Sequence, residues 1–397
     1  MNIPPDAPLS HDTQLLVVGG GPVGLFAALC AVDRGLNVTV VERGFRGYAR
    51  GHATVLHPSS VRLLAGFGLA AKLFEQGHPV DYVELYDRKD LLSTLELASP
   101  ALCVPQSVIE EQLLKALHER DVDVRAPCEV SSLTQDESGV QLQIVRRELA
   151  TLGSPEREAD WRDVEHSSAR ASFVLAADGR NSLVRGALGI ENLQVGPTET
   201  FAMFDGPYSA PGKAIQLSFN SGLGAAILPL ANGRRWGFEL PTESSLVPDV
   251  AHLRALVSER TAWQEELPEA VTWSTIAHFD RRLARRFGRG RVWLAGDAAH
   301  STSPFGGQSV NGGLAEAHEL VAHMADCIAG KEALEVLGLV AARREREWQR
   351  VLGFAHLDAR PKTPSWVLEH ARRLAPALPA SGQDLHSLLD QLGVAIH

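Results

Sequence analysis

The stretch from residue 15 to residue 24 restricts this chain more than any other. Leu15-Leu16-Val17-Val18 is the short apolar run of a buried parallel strand. It passes without a break into Gly19-Gly20-Gly21-Pro22-Val23-Gly24. Leu25, Ala28, Leu29 and Val32 then recur on one face of a predicted helix that stops near Gly35. Val38-Thr39-Val40-Val41-Glu42 follows as a second strand ending in an acid. Such a β-α-β unit makes a parallel sheet with a right-handed crossover.

The spacing Gly19-x-Gly21-x-x-Gly24 has a chemical reading. The first glycine permits a tight turn, the second lets backbone approach a pyrophosphate, and the third lets helix and strand pack closely. Pro22 and Val23 open the helix, whose N-terminus offers free N–H groups and a positive dipole end to phosphates. Glu42, eighteen residues beyond Gly24, is placed to accept from adenosine ribose hydroxyls, with Arg43 beside it. The competing reading is a purely structural turn. The motif by itself does not separate FAD from NAD.

Further along, helical patterns are expected over 59–77 (Val61, Leu64, Leu69, Leu73) and 106–119 (Val108, Ile109, Leu113, Leu114, Leu117). Strands are expected at 80–87, 91–97, 128–147 and 170–177, with the polar stretch 150–168 as a surface loop. Short strands broken by Gly and Pro between 200 and 240 suit an antiparallel sheet. A buried strand returns at Val292, and a long helix then carries Val310, Leu314, Ala317, Val321, Met324 and Ile328 on one face. The last 55 or so residues read as charged helices with Ser365 and Asp384 as N-caps. The expected fold class is α/β. A Rossmann-like, glutathione-reductase-type unit (12–78, 101–188 and 289–340) interleaves with a mostly antiparallel substrate domain (79–100 and 189–288), and a C-terminal helical segment covers 341–397.

Two later stretches carry a resemblance. Phe173-Val-Leu-Ala-Ala-Asp178-Gly179-Arg180-Asn181-Ser182-Leu183-Val184-Arg185 resembles the "DG" motif of the para-hydroxybenzoate hydroxylase family, the single-component flavoprotein aromatic hydroxylases. Gly290-Arg291-Val292-Trp293-Leu294-Ala295-Gly296-Asp297-Ala298-Ala299-His300 is similar to its "GD" motif, and Pro304-Phe305-Gly306-Gly307-Gln308-Ser309-Val310-Asn311-Gly312-Gly313 to its loop beneath the flavin. The three motifs stand in family order from about residue 15 to 325.

The resemblance implies non-covalent FAD, NADPH or NADH as co-substrate, and O2. The expected reaction is hydroxylation of a small aromatic or polyketide-like molecule through an oxygen adduct at flavin C4a. Asp297 and Gly296 would meet the ribityl chain, and Pro304, Gly306, Gly307, Ser309, Val310 and Asn311 would lie by the isoalloxazine, at a helix N-terminus that favours negative charge. Asp178 would serve FAD and NAD(P)H binding, or cap a helix; Gln106 would lie near the flavin ring, or cap the helix it precedes. The chain departs from the family at His52, where an arginine is usual, with Arg50 as a possible substitute, and at Ser309, where glycine is usual.

Flavin supplies the difficult chemistry, so no protein nucleophile or metal is needed and no single catalytic residue stands out. Tyr86, Gln216, Phe219, Leu228 and Phe238, with Pro304, are the candidate pocket lining. The arginines at 281, 282, 285, 286, 289 and 291 read as a solvated helix face, with NADPH phosphate binding as the alternative. Glu319 and His323 share a helical face without other metal signals. A net charge of -10 argues against nucleic-acid binding, and the four dispersed cysteines against a disulfide framework or zinc site. No apolar run is long enough to span a membrane, and the N-terminus does not read as a secretory signal, so a reducing, cytoplasmic setting is expected, as monomer or homodimer. Two alternatives keep the cofactor: an epoxidase or Baeyer–Villiger-type oxygenase, and a redox-inactive FAD-binding protein.

Overall fold

The computed structural model describes residues 13–44, 53–150, 160–210, 212–219, 222–241, 248–264, 266–353, 357–361 and 363–396. The predicted β-α-β unit is present. Strands Thr13–Val18 and Val38–Val41 pair in parallel, Leu15 opposite Val38, joined by helix Pro22–Asp33. The helix is buried on more than the expected face: Phe26, Ala27, Cys30 and Ala31 are enclosed along with Leu25, Ala28 and Leu29. It lies between the sheet and helices Gln106–His118 and Gln308–Ile328, which leaves it almost no solvent side.

Strand Asp160–Ala176 pairs in parallel on the other side of Thr13–Val18, Leu15 opposite Phe173, and Val292–Leu294 pairs beyond it, Val292 opposite Val174. Parallel pairing has one consequence that matters for function. Val18, Val41, Ala176 and Leu294 end at the same edge of the sheet, so the chain leaving each of them enters one crevice, where ligands of open α/β sheets bind. Motifs far apart in sequence are thereby brought together.

The stretch expected as a loop at 150–168 is strand from Asp160 onward, paired antiparallel with Val140–Ala150, Val145 opposite His166. Residues 151–159 lie outside the described residues. The polarity that suggests a loop belongs to a solvated antiparallel ribbon. Its charges pair across strands, Arg146 with Glu165 at 3.1 Å and Arg147 with Asp163 at 3.0 Å. The arginine-rich 281–291 stretch is likewise not a helix. It consists of short strands, Arg282–Ala284 and Gly288–Arg289, with Arg282 paired to Asp280 and Arg285 to Glu191.

The second sheet runs in the order Trp273–Phe279, Glu199–Gly206, Gly233–Leu240, Ala225–Leu230, Ala214–Ser218, His78–Asp87, Asp90–Pro105 and Ala53–Leu56. Neighbours are antiparallel except Ala214–Ser218 with His78–Asp87. Alternation gives each strand two faces. Phe204, Trp236 and Phe238 pack on one side against Leu253 and Val257 of helix Val250–Arg260. Phe201, Leu217 and Leu228 face the other side.

That second side is covered by the C-terminal helices, which are apolar inward rather than simply charged: Leu374, Leu378, Leu388 and Leu389 are all buried there. The caps also differ from expectation. Pro364 and Ser381 occupy the N-cap positions, while Ser365 begins its helix and Asp384 sits in a first turn, paired with Arg62 at 2.8 Å. Strands Leu357–Ala359 and Val394–Ile396 pair within this segment. No helix among the described residues is long and apolar enough to cross a membrane.

Candidate active site

The three spaced glycines have different tasks. A Cβ on Gly19, which has φ +111°, would stand 2.2 Å from the Ala177 carbonyl oxygen. A Cβ on Gly24 would stand 2.0 Å from the Gly19 carbonyl oxygen, where helix meets turn. Both are demanded by the fold. A Cβ on Gly21 would meet nothing within 4 Å. Gly21 is the N-cap of helix Pro22–Asp33 and supplies no side-chain cap, so the first N–H groups of the helix are left for another partner.

Gly21 borders two spaces. The smaller, of about 210 Å³, is lined by Gly19, Glu42, Arg43, Cys128, Asp178 and Leu183 among others. Glu42 accepts from the Gly20 amide at 2.5 Å and from the Gly44 amide at 2.6 Å, which directs its carboxylate to this space and leaves lone pairs for hydroxyl groups. Asp178 accepts from the Val184 amide at 3.2 Å through Oδ2, while its buried Oδ1 has no partner. Ser182 is the N-cap of helix Leu183–Ala187, accepting from the Arg185 amide at 2.9 Å, and Asp178 satisfies the Val184 amide of the same first turn.

The larger cavity, of about 410 Å³, starts at Gly21, Pro22 and Val23 and passes Asp297. Asp297 is exposed to the cavity that it lines. Burial pushes its pKa up, against the lowering influence of His300 and of the Ser309 hydroxyl. Arg185 ties the two aspartate motifs together, donating to the carbonyls of Ala298 and Arg180, each at 2.8 Å.

Pro304, Gly307, Ser309 and Val310 line the floor. Gly307, in the left-handed region at φ +63°, is the N-cap of helix Gln308–Ile328 and again has no side-chain cap, so a second helix N-terminus is open to the cavity. Gly306 and Asn311 lie behind this floor instead of on it. Asn311 donates to Val55 and Gly307 carbonyls at 2.7 and 2.8 Å and accepts from the His57 amide at 2.8 Å. His57 Nε2 donates to the Gly306 carbonyl at 2.7 Å, and its pKa is lowered to about 4 by complete burial. Gly24 and Gly296 are packing positions too, outside both linings. Gln106 lines the cavity and bonds Glu110 at 2.8 Å, so it is not a cap. Arg50 and His52 lie outside the described residues.

The far wall differs from the expected one. It is formed by Met203, Arg235, Trp273, Thr275, Ala277 and Phe279, with Thr54, Arg180, Asp280 and Arg282 nearby. Arg235 forms a two-point pair with Asp205, both distances 2.6 Å, and its guanidinium lies 4.9 Å from the Trp273 ring centre. Tyr86, Gln216 and Phe238 point to the opposite face of the sheet. Tyr86 stacks on Trp263 at 4.3 Å, Gln216 bonds Glu84, Trp263 and Gln264, and Phe238 is core beneath helix Val250–Arg260. Phe219 stacks against His370, and Leu228 packs in the core beneath the C-terminal helices; neither lines the cavity.

Of the remaining candidates, Glu319 pairs with Arg343 and Arg344, and His323 with Glu332, so they serve separate contacts. Arg285, Arg286 and Arg289 border a surface cleft whose lining shares no residue with the cavity.

The residues present fit a dinucleotide whose halves diverge from a pyrophosphate at Gly21. The space a side chain would fill, the uncapped helix end, the orphaned Asp178 oxygen and the cavity-facing Asp297 all await polar partners. Comparison with known proteins agrees. The sequence model described as FAD binding domain matches residues 12–355. A putative polyketide hydroxylase of Streptomyces coelicolor is 28% identical over 357 residues, 82% of this chain and 54% of that protein. The 6-methylpretetramide 4-monooxygenase of Streptomyces rimosus is 27% identical over 355 residues, 86% of this chain and 60% of that protein. The chain thus spans little more than half the length of these relatives. Among solved structures, p-nitrophenol 4-monooxygenase from Pseudomonas putida DLL-E4 superposes with a TM-score of 0.71 at 21% identity, over 96% of this chain and 98% of that one, and shares the fold. With a match that takes in the Gly21 cradle, the Asp297 turn and the loop at Pro304, the chain belongs to the FAD binding domain family.

Proposed function

We propose that this chain is an FAD-dependent monooxygenase that uses NAD(P)H and O2 to hydroxylate a small, planar aromatic or polyketide-like molecule. One observation carries the reading. A single cavity runs from the Gly21 cradle past Asp297 to a wall of Met203, Trp273, Thr275 and Phe279. A cofactor held at the first end therefore meets a planar guest at the other.

When bound, FAD supplies the redox chemistry, with electrons from NAD(P)H and the oxygen atom from O2. The chain's residues bind, orient and exclude water. Gly21 and the uncapped helix end hold phosphates, Glu42 takes ribose hydroxyls, and Asp297 takes the ribityl chain. The N-terminus of helix Gln308–Ile328 stabilises negative charge on the ring system by roughly 0.3–1 kcal/mol, more in a dry site. The Trp273 and Phe279 rings and the Met203 side chain favour a flat apolar guest, and the Thr275 hydroxyl offers it a hydrogen bond. Asp205 pairs with Arg235 and Asp280 with Arg282 along this wall. We assign residues 12–78, 101–188 and 289–340 to the cofactor side, 79–100 and 189–288 to the substrate side, and 341–397 to the C-terminal segment.

The test is NAD(P)H oxidation by the purified yellow protein in air, with phenols, aromatic acids and fused-ring quinones. Oxidation stimulated by one planar compound, with oxygen found in that compound, is the expected result. Bound flavin with no compound stimulating turnover would count against a monooxygenase.

A further inference from the structure

Behind the Asp297 turn lies a buried polar cluster that the proposed reaction does not use. Glu316, on helix Gln308–Ile328, is 1% exposed and accepts three hydrogen bonds. The donors are the Gly296 amide at 3.0 Å, His300 Nε2 at 2.8 Å and Trp348 Nε1 at 2.6 Å. The His300 ring stacks on Trp348 with centres 3.5 Å apart, and its buried Nδ1 has no partner, so Glu316 is the one polar partner found for the ring among the described residues. None of the three side chains lines the cavity.

A buried carboxylate with three donors is satisfied and held in one orientation. Burial pushes the Glu316 pKa up, but His300 and the Gly296 amide outweigh it, and the net shift is downward, to an ionised group. What this arrangement fixes is the Gly296 amide. Gly296 is in the left-handed region at φ +62°, and the next residue is Asp297, whose carboxylate faces the cavity. The elements involved follow one another in the chain: the turn at 296–300, helix Gln308–Ile328 and helix Glu335–Val351.

We propose that Glu316 is a positioning residue for FAD: by fixing the Gly296 amide it sets the direction of the Asp297 carboxylate, and His300 and Trp348 hold Glu316 in place. The inference rests on Asp297 meeting the ribityl chain. Its test is titration of apo-protein with FAD, read by flavin fluorescence and by visible circular dichroism of the bound ring, beside the melting temperature of the apo-protein. Glu316→Gln presents an NH2 where three donors need acceptors, and should weaken FAD binding about tenfold or more. Trp348→Phe keeps the ring against His300 but removes one donor, and should weaken binding by roughly threefold with an altered flavin dichroism.

Unchanged FAD affinity and dichroism, with only a lowered melting temperature, would make the cluster packing alone and overturn the proposal. Should Glu316→Gln fail to fold, Trp348→Phe decides by the same two readouts. Failure of the unsubstituted protein to bind FAD would overturn the cofactor assignment and this inference together.

Discussion

At the scale of single residues, what matters at Gly24 and His57 is how little room surrounds them. Gly24→Ala forces a Cβ to within 2.0 Å of the Gly19 carbonyl oxygen. The helix must then move off the strand, at a cost of about 1–3 kcal/mol or more. A lowered melting temperature of the apo-protein checks this; an unchanged one refutes the tight contact. His57 predicts a pH effect. Its pKa is ordinarily 6.5 and falls to about 4 in the folded protein, because complete burial disfavours the charged ring by more than the Nε2–H bond to the Gly306 carbonyl favours it. Between those values the unfolded chain binds a proton that the folded chain does not. Stability therefore falls as pH drops from 6.5 towards 4, by up to roughly 3 kcal/mol from this residue. Urea unfolding at pH 7 and pH 4.5 measures it, and His57→Gln should lose distinctly less on acidification. Equal losses in both proteins would rule out His57 as the source.

At the scale of elements, the second sheet separates core from cavity by side-chain alternation alone. Phe238 and Met203 stand on neighbouring strands but on opposite faces, Ala202 being the residue opposite Phe238 and Gly237 the one opposite Met203. Phe238→Ala should cost about 3–5 kcal/mol of stability while the KM of the surviving folded protein stays near that of the parent. Met203→Trp should leave the fold intact and raise KM at least tenfold. The reverse pattern, read by melting and steady-state kinetics, would place the substrate wall on the other face.

This sheet also marks the limit of what could be read from sequence. The strands between 200 and 240 were legible as strands, since turn residues bound them, but which face looks inward depends on register with partners distant in the chain. Tyr86, Gln216 and Phe238 looked attractive by residue type and lie on the outer face, while Trp273, Thr275 and Phe279, on an edge strand, carried no distinguishing pattern. Gly21, Glu42, Asp297 and Pro304 were legible because backbone geometry and a ligand's shape impose fixed spacings on them. Asn311 and Gly306 share that spacing but serve the loop's anchorage, a difference only packing reveals. The polar ribbon beginning at Asp160 resembles a loop in sequence because its cross-strand ion pairs have no local signature.

At the scale of the whole molecule, four parallel strand ends, two uncapped helix N-termini and one wall of the second sheet converge on connected spaces that meet at Gly21. The C-terminal helices close the far side of the Pro304 loop: Gln308 Nε2 donates to the carbonyls of Leu378 and Ala380 at 2.7 and 3.1 Å. The floor of the cavity is thus held by residues distant in the chain, His57 on one side and Leu378 on the other. On the function proposed above, the space beside Gly21 belongs to the FAD pyrophosphate. The most direct test is Gly21→Val, with apo-protein melting and FAD titration measured on the same samples. The expected result is a melting temperature close to that of the parent, because nothing beyond the chain neighbours stands within 4 Å of the new Cβ, together with loss of FAD binding. A stable Gly21→Val protein that binds FAD as tightly as the parent would contradict it.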